Sequence, residues 1–258
     1  MNYKIFIIIR FSINFNYNNG NMSWKHIGVL KPIKKWDTKR LDKRFCLFEN
    51  ICLPSLINQV DKTNLHIIII ISKDLPIEYQ SKLIKLVREY EYIHVMYYDG
   101  TLSNTYIKRY IDNNTEIIAT IRLDDDDGIS PDFVKLLSKY CKTKYINNVV
   151  SFSEGIILQI KKNKLTYRTH SSSLIASGLC LIQDINSNNN IYTDTRHRRL
   201  HKIYNVITDK QQYMYVVSNH IYGDEERVKF SYINNPLTDT IIKKYNYIKF
   251  KNLEKIDI

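Results

Sequence analysis

Four short apolar runs, Ile5 to Phe11, His66 to Ser72, His94 to Tyr98 and Ile117 to Leu123, constrain this chain more than any other feature. They are rich in β-branched and aromatic residues, which favour pleated strands, and they scarcely alternate with polar residues. Strands of that kind are buried on both faces, as in a parallel sheet covered by helices. Between them lie stretches with helical spacing. Leu41, Phe45, Phe48, Cys52 and Leu56 recur every three or four residues and mark a helix that Pro54 is expected to kink or divide. Tyr79, Leu83, Leu86, Val87 and Tyr90 mark a second, opened by Pro76. Ser130 and Pro131 predict a third, with the hydroxyl at the N-cap, proline at the first helical position, and Val134, Leu137 and Cys141 facing inward. Alternation of strand and helix over the first part of the chain predicts an α/β fold with a Rossmann-type, mostly parallel sheet flanked by helices.

After Asn147 the texture changes. Val149 to Ile160 and Lys164 to Tyr167 read as paired antiparallel strands, a smaller region beside the parallel sheet. Asn186 to Asn190 reads as a polar loop, Arg196 to Tyr204 as a basic helix, and the segment from Lys243 onward is rich in Lys and Tyr. No internal repeat and no Gly/Ser linker interrupts the 258 residues, so a single domain is the simplest organisation.

Lys and Arg total 38 against 26 acidic residues, a formal charge of +12 that favours an anionic partner such as a nucleic acid, a phospholipid or a nucleotide diphosphate. The lysines are spread along the chain rather than gathered in one stripe, which argues against nucleic acid. The four cysteines, Cys46, Cys52, Cys141 and Cys180, lack metal-site or disulfide-framework spacing and read as reduced thiols in a cytoplasmic setting. Ile5 to Ile9 is far shorter than the ~20 apolar residues of a membrane span, and no other segment is long enough.

The run Ile117 to Leu123 passes directly into Asp124, Asp125, Asp126, Asp127 and Gly128. Four carboxylates therefore sit at the carboxyl end of an expected central strand, where open α/β sheets bind ligands. Adjacent carboxylates repel one another, and at a strand end only a cation or bulk water relieves this. In extended chain Asp124 and Asp126 project to one side and can meet a shared Mg²⁺ or Mn²⁺, with Asp127 in support and Asp125 turned elsewhere. A diphosphate would complete the shell, and the metal would stabilise charge developing on a leaving diphosphate. Other readings stand beside this one. A solvated acidic loop seldom follows a long apolar run so directly. A calcium loop with Gly128 at its sixth position puts Leu123 first and Val134 twelfth, neither of them a ligand. A two-metal phosphoester hydrolase or nuclease also sets Asp at strand ends, and a non-enzymatic basic binding module remains open.

Several separated motifs in order, Arg10-Phe11-Ser12, Arg44-Phe45-x-Leu47-Phe48-Glu49, Leu53-Pro54-Ser55-Leu56-x-x-Gln59, Ser72-x-x-Leu75-Pro76 and Arg122-Leu123-Asp124-Asp125-Asp126-Asp127, resemble the putative rhamnosyltransferase family of glycosyltransferases with the GT-A fold. The wider pattern Asp124-x-Asp126-Asp127-Gly128-Ile129-Ser130-Pro131 is similar to the GT-A Asp-x-Asp-Asp motif with its downstream proline. The resemblance covers the first 140 or so residues. It implies a GT-A-like domain with a nucleotide-sugar-binding half (1–130) and an acceptor-side half (131–258). The activity it implies is transfer of a sugar, rhamnose or another hexose, from a nucleotide diphosphate to a glycan or other hydroxyl acceptor, with Mn²⁺ or Mg²⁺. Donor contacts then fall to Arg10, Asp74, Arg122, Asp124 and Asp125, and metal contacts to Asp124, Asp126 and a late histidine, for which His220 is best placed. Arg122 can equally pair with the cluster, and a lone histidine is more often structural. An inverting enzyme needs a carboxylate base, for which Asp224 and Glu225 are candidates beside Glu226, although all three also suit a solvated turn.

Two further motifs carry weaker signals. His170 to Ser173 with Ala176-Ser177-Gly178 lacks P-loop spacing and reads as a polar turn. His197 and His201 have zinc-ligand spacing, but Arg198 and Arg199 between them favour a basic face near an anionic acceptor or diphosphate.

Overall fold

The computed structural model describes residues 2–13, 36–161, 164–193, 196–220 and 235–254. Strands β1 (Tyr3–Phe11), β2 (Leu65–Ile71), β3 (Ile93–Tyr97) and β4 (Ile117–Asp124) form on the four apolar runs. They are followed by β5 (Gly128–Ile129), β6 (Asn148–Phe152), β7 (Glu154–Lys161), β8 (Lys164–Ser171), β9 (Leu179–Asp184), β10 (Asn205–Asp209) and β11 (Tyr215–Asn219). Seven of these make one sheet in the order β10-β6-β9-β4-β1-β2-β3, in which β9 runs antiparallel to β4 and β6 and the other pairings are parallel. This is the expected α/β class with a mostly parallel sheet. Alternate residues of β1 enter opposite cores, Ile5, Ile7 and Ile9 on one face and Phe6 and Ile8 on the other, which explains the unbroken apolar run.

The second sheet, β5-β11-β7-β8, corrects two expectations. It is mixed rather than purely antiparallel, because β11 runs parallel to β7. The run Val149 to Ile160 is also two strands in two sheets, broken at Ser153, whose N–H is taken by Asp209 O at 2.9 Å. Gly155 just beyond the break allows β7 to lie against Tyr215, since a Cβ there would meet Tyr215 Cδ2 and O at 2.5 Å.

The helices are α1 (Thr38–Leu47), α2 (Leu53–Ile57), α3 (Ile77–Val87), α4 (Phe133–Leu137), α5 (Asp239–Lys244) and α6 (Phe250–Leu253). A π-helical turn, Phe48–Cys52, joins α1 to α2. Pro54 therefore does not divide the helix. The ladder widens one turn ahead of it, with Leu53 N–H reaching Phe48 O, and this absorbs the proline. The joined helix is wedged between the sheets, placing Phe45, Phe48, Cys52 and Leu56 in the core of the large one and Leu47 and Ile51 in that of the small one. Helix α4 begins at Phe133 with Asp132 in the N-cap position, not at Pro131, because the Ser130 hydroxyl donates to Asp132 Oδ1 (2.8 Å). Arg196 to Tyr204 forms only a 3-10 helix, His197–Lys202. The Lys- and Tyr-rich tail is ordered as α5 and α6: Tyr245 donates to Tyr215 O (2.9 Å) and Tyr247 to Ile129 O (2.5 Å). All four cysteines are free, and among the described residues no helix is long and apolar enough to cross a membrane.

On the far face of the large sheet His66 Nδ1 lies 3.3 Å from His94 Nε2, and both rings stack with Tyr110. Burial, then His94 and Lys4, push the His66 pKa down from 6.5 to about 4. The unfolded chain thus binds the proton more readily, so the stability held by neutral His66 is full above pH 6.5 and is lost as the pH falls towards about 4. Urea unfolding of the wild type should show that decline, and His66→Gln should flatten it; an unchanged slope would remove His66 as its source. Gly155→Ala should destabilise the chain by about 1–3 kcal/mol through overpacking against β11, measured as a shift in the urea midpoint.

Candidate functional site

Strand β4 carries its chain to the carboxyl edge of the large sheet, in register with Arg10 of β1 opposite Asp124. There the backbone turns, Asp127 N–H donating to Asp124 O at 3.1 Å. The expected extended alternation of Asp124 and Asp126 is therefore replaced by a turn that splays the four carboxylates. Just past the turn Gly128 is tightly seated, since an added Cβ would lie 3.3 Å from Ile51 Cγ2 and 3.4 Å from Ser55 Cβ. Buried Gln59 fixes the chain just past the turn, donating to Ser130 O (2.8 Å) and accepting from Val134 N–H (3.0 Å).

Each carboxylate has its own partners. Asp125 is completely buried and paired with the Arg44 guanidinium through both Nε and Nη2. Arg44, itself 5% exposed, also places Nη1 3.3 Å from Asp126 Oδ2, and the same oxygen lies 2.9 Å from His220 Nε2. Asp127 accepts Ser218 N–H at 3.0 Å and the Ser177 hydroxyl, binding the turn to β11 and to the loop before β9. Asp124 is the outermost, its side chain 22% exposed, with Arg10 Nη2 at 3.3 Å and Arg122 Nη2 at 3.4 Å, both on Oδ1. Oδ2 of Asp124 has no partner among the described residues. Burial would raise this carboxyl, but Arg122 and Arg10 outweigh it and hold the pKa down at about 2, so Asp124 is ionised at neutral pH.

The structure thus brings Arg10, Arg122, Asp124, Asp126 and His220 to one edge. Arg122 does pair with the cluster. Asp74 stands in the exposed turn after β2, at the same end of the sheet. Donor contact by Asp125 is corrected: a carboxylate fully buried against Arg44 faces the interior and holds the turn. Asp224, Glu225 and Glu226 lie outside the described residues. His170 Nδ1 is 2.8 Å from the Tyr215 hydroxyl, a contact inside the small sheet. Gly178, at φ +84°, donates its N–H to Arg122 O (2.9 Å), so the polar turn of Ala176 to Gly178 braces β4.

Sequence reasoning did not place two residues in the site. Arg44 carried a signal, a charge on the inner face of a helix three residues after Leu41. Tyr192 carried none: its ring lies 4.8 Å from the Arg10 guanidinium and 5.3 Å from that of Arg122, and its hydroxyl donates to Ile8 O. Among the described residues no three His, Cys, Asp or Glu side chains form a ready-made metal cage. Asp126 and His220 nonetheless adjoin one another, and Asp124 of the same turn is partly exposed. Such sparse donors suit a hard cation that takes the rest of its shell from phosphate and water.

Removing Arg44 leaves Asp125 buried and unpaired. Arg44→Met should cost about 3–5 kcal/mol in urea unfolding, with part recovered in Arg44→Met/Asp125→Asn; a loss under about 1 kcal/mol would show that the pair does not hold the turn.

Comparison with known proteins adds a family. The family model described as "Putative rhamnosyl transferase" matches residues 4–232. A search of curated proteins gives no match. Among solved structures, S. aureus TarS 1–349 is 12% identical with a TM-score of 0.42, covering 83% of this chain and 60% of that one. The same protein in complex with UDP-GlcNAc is 12% identical with a TM-score of 0.42, covering 90% and 62%. A 4-diphosphocytidyl-2C-methyl-D-erythritol synthase from Anaerococcus prevotii is 14% identical with a TM-score of 0.32, covering 95% and 96%. The chain thus spans about three-fifths of the TarS 1–349 structures. With the family model matching most of its length, the chain belongs to the putative rhamnosyl transferase family of glycosyltransferases.

Proposed function

We propose that this chain transfers a sugar from a nucleotide diphosphate to a hydroxyl of a glycan or similar acceptor, with rhamnose the donor sugar suggested by the family description. One observation carries the reading. Asp124, ionised and partly exposed between Arg10 and Arg122, shares the carboxyl edge of the central strands with the adjoining pair Asp126 and His220. A donor entering there meets cations for its phosphates and carboxylates for its ribose hydroxyls or its metal.

Mn²⁺ or Mg²⁺ would be held by Asp126 and His220 with Asp124 beside them, and would neutralise charge on the departing diphosphate. Arg10 and Arg122 bind and orient the diphosphate, and Asp74 stands where the ribose or base extends past β2. Arg44 holds Asp126 in place. Asp224 or Glu225 takes the acceptor proton if the sugar inverts.

Thermal unfolding with UDP, GDP or dTDP, with and without Mn²⁺, tests the reading and identifies the nucleotide. One nucleotide at ~100 times its Kd should stabilise the chain by about 2.7 kcal/mol in a metal-dependent manner, and Asp126→Asn should abolish the effect. Cleavage of generic phosphodiesters without nucleotide stabilisation would identify a hydrolase instead. A chain that does neither is a binding module, and the transfer reading fails.

A further inference from the structure

We propose that the 3-10 helix His197–Lys202 is the docking surface for an anionic glycan, the acceptor of the transfer reaction. The inference rests on the sugar-transfer reading above and specifies the second substrate. Position is the first argument. Leu200, 1% exposed, anchors the turn in the same apolar cluster as Tyr192, and the Tyr192 ring carries both Arg10 and Arg122. The turn is thus anchored in the cluster that holds the Tyr192 ring, over which Arg10 and Arg122 lie.

Charge is the second argument. Arg196, Arg198, Arg199, His201 and Lys202 are exposed, and no acidic residue occurs from Arg196 to Thr208. Arg198, Arg199 and Lys202 form no ion pair among the described residues. Like charges gathered this closely repel one another, and a polyanion relieves the repulsion. Arg10 and Arg122 already stand where the donor diphosphate would lie, which leaves the outward cations to a different molecule. The chemistry of that surface favours a sugar polyanion over nucleic acid. Surfaces for single strands interleave cations with exposed aromatic rings, whereas here the exposed apolar neighbour is Ile203, 54% exposed, and Tyr204 packs against the core. Bidentate guanidiniums suit phosphate and carboxylate alike.

The test uses the full chain at low salt, titrated with phosphorylated mannopentaose and with an oligogalacturonide, against neutral maltopentaose. At least one anionic glycan should bind more tightly than the neutral one, and the arm that responds distinguishes phosphate from carboxylate. Arg198→Gln/Arg199→Gln should weaken that binding about tenfold while leaving nucleotide-dependent thermal stabilisation intact, which also shows that the variant folds. Lys202→Gln provides a second, milder variant. No preference over the neutral glycan, or a preference untouched by these variants, overturns the proposal. So does equal or tighter binding of an oligouridylate or of phosphatidylglycerol vesicles through the same residues. If no nucleotide stabilises the wild type, the transfer reading itself has failed; if a nucleotide does and no anionic glycan binds, this inference alone has.

Discussion

The rest of the structure depends on the buried pairing of Arg44 with Asp125 and Asp126. Two like charges 4 Å apart repel by about 4 kcal/mol at the effective dielectric of a protein surface, and four consecutive carboxylates multiply the problem. A turn that buries three of them needs a positive charge already in place. Arg44 supplies it from α1, and α1 is held by being wedged between the two sheets. The packing of one helix and the electrostatics of one turn are therefore a single constraint.

The acidic turn also joins the sheets. Asp124 ends a strand of the large sheet, while Asp127 accepts from the backbone of β11 in the small one. On the other side of the joint, Tyr245 and Tyr247 donate to carbonyls of β11 and β5, and Gln59 fastens α2 to the chain just past the turn. Because His220 directly follows β11, this joint sets its distance to Asp126. The tyrosines of the tail thus influence a site they do not touch.

Which elements the sequence disclosed, and which it hid, depends on the range of the interactions. The four apolar strands were legible because burial on both faces leaves no polar alternation to confuse them. The place of Asp124 was legible because a strand end next to charge admits few arrangements. The split at Ser153 was not, since both halves of that run are apolar and only the close approach of Gly155 to Tyr215 separates them. The turn at Asp124 was equally hidden: the groups its carboxylates meet, Arg44 and Ser218, lie about 80 or more residues away in the chain. The form of the break near Pro54 was not legible, because the propensity argument concerns an α-helical ladder, and a π-turn removes the conflict before the proline is reached. Arg44 could have been found by asking why a guanidinium shares a helix face with Leu41 and Phe45. No comparable question leads to Tyr192.

The four aspartates, identical in sequence, are made unequal by their partners. Asp125 and Asp127 hold the turn from inside, Asp126 is shared between structure and site, and Asp124 is the most exposed of the four. Across the whole turn, four carboxylates meet three guanidiniums, from Arg10, Arg44 and Arg122. The turn itself is left negative, although the chain as a whole is strongly positive. A nucleotide diphosphate brought to such an edge adds charge of the same sign and must arrive with, or find, further positive charge. Arg10 and Arg122 cannot serve fully, because Asp124 already engages both. This imbalance supports the divalent cation proposed for Asp126 and His220.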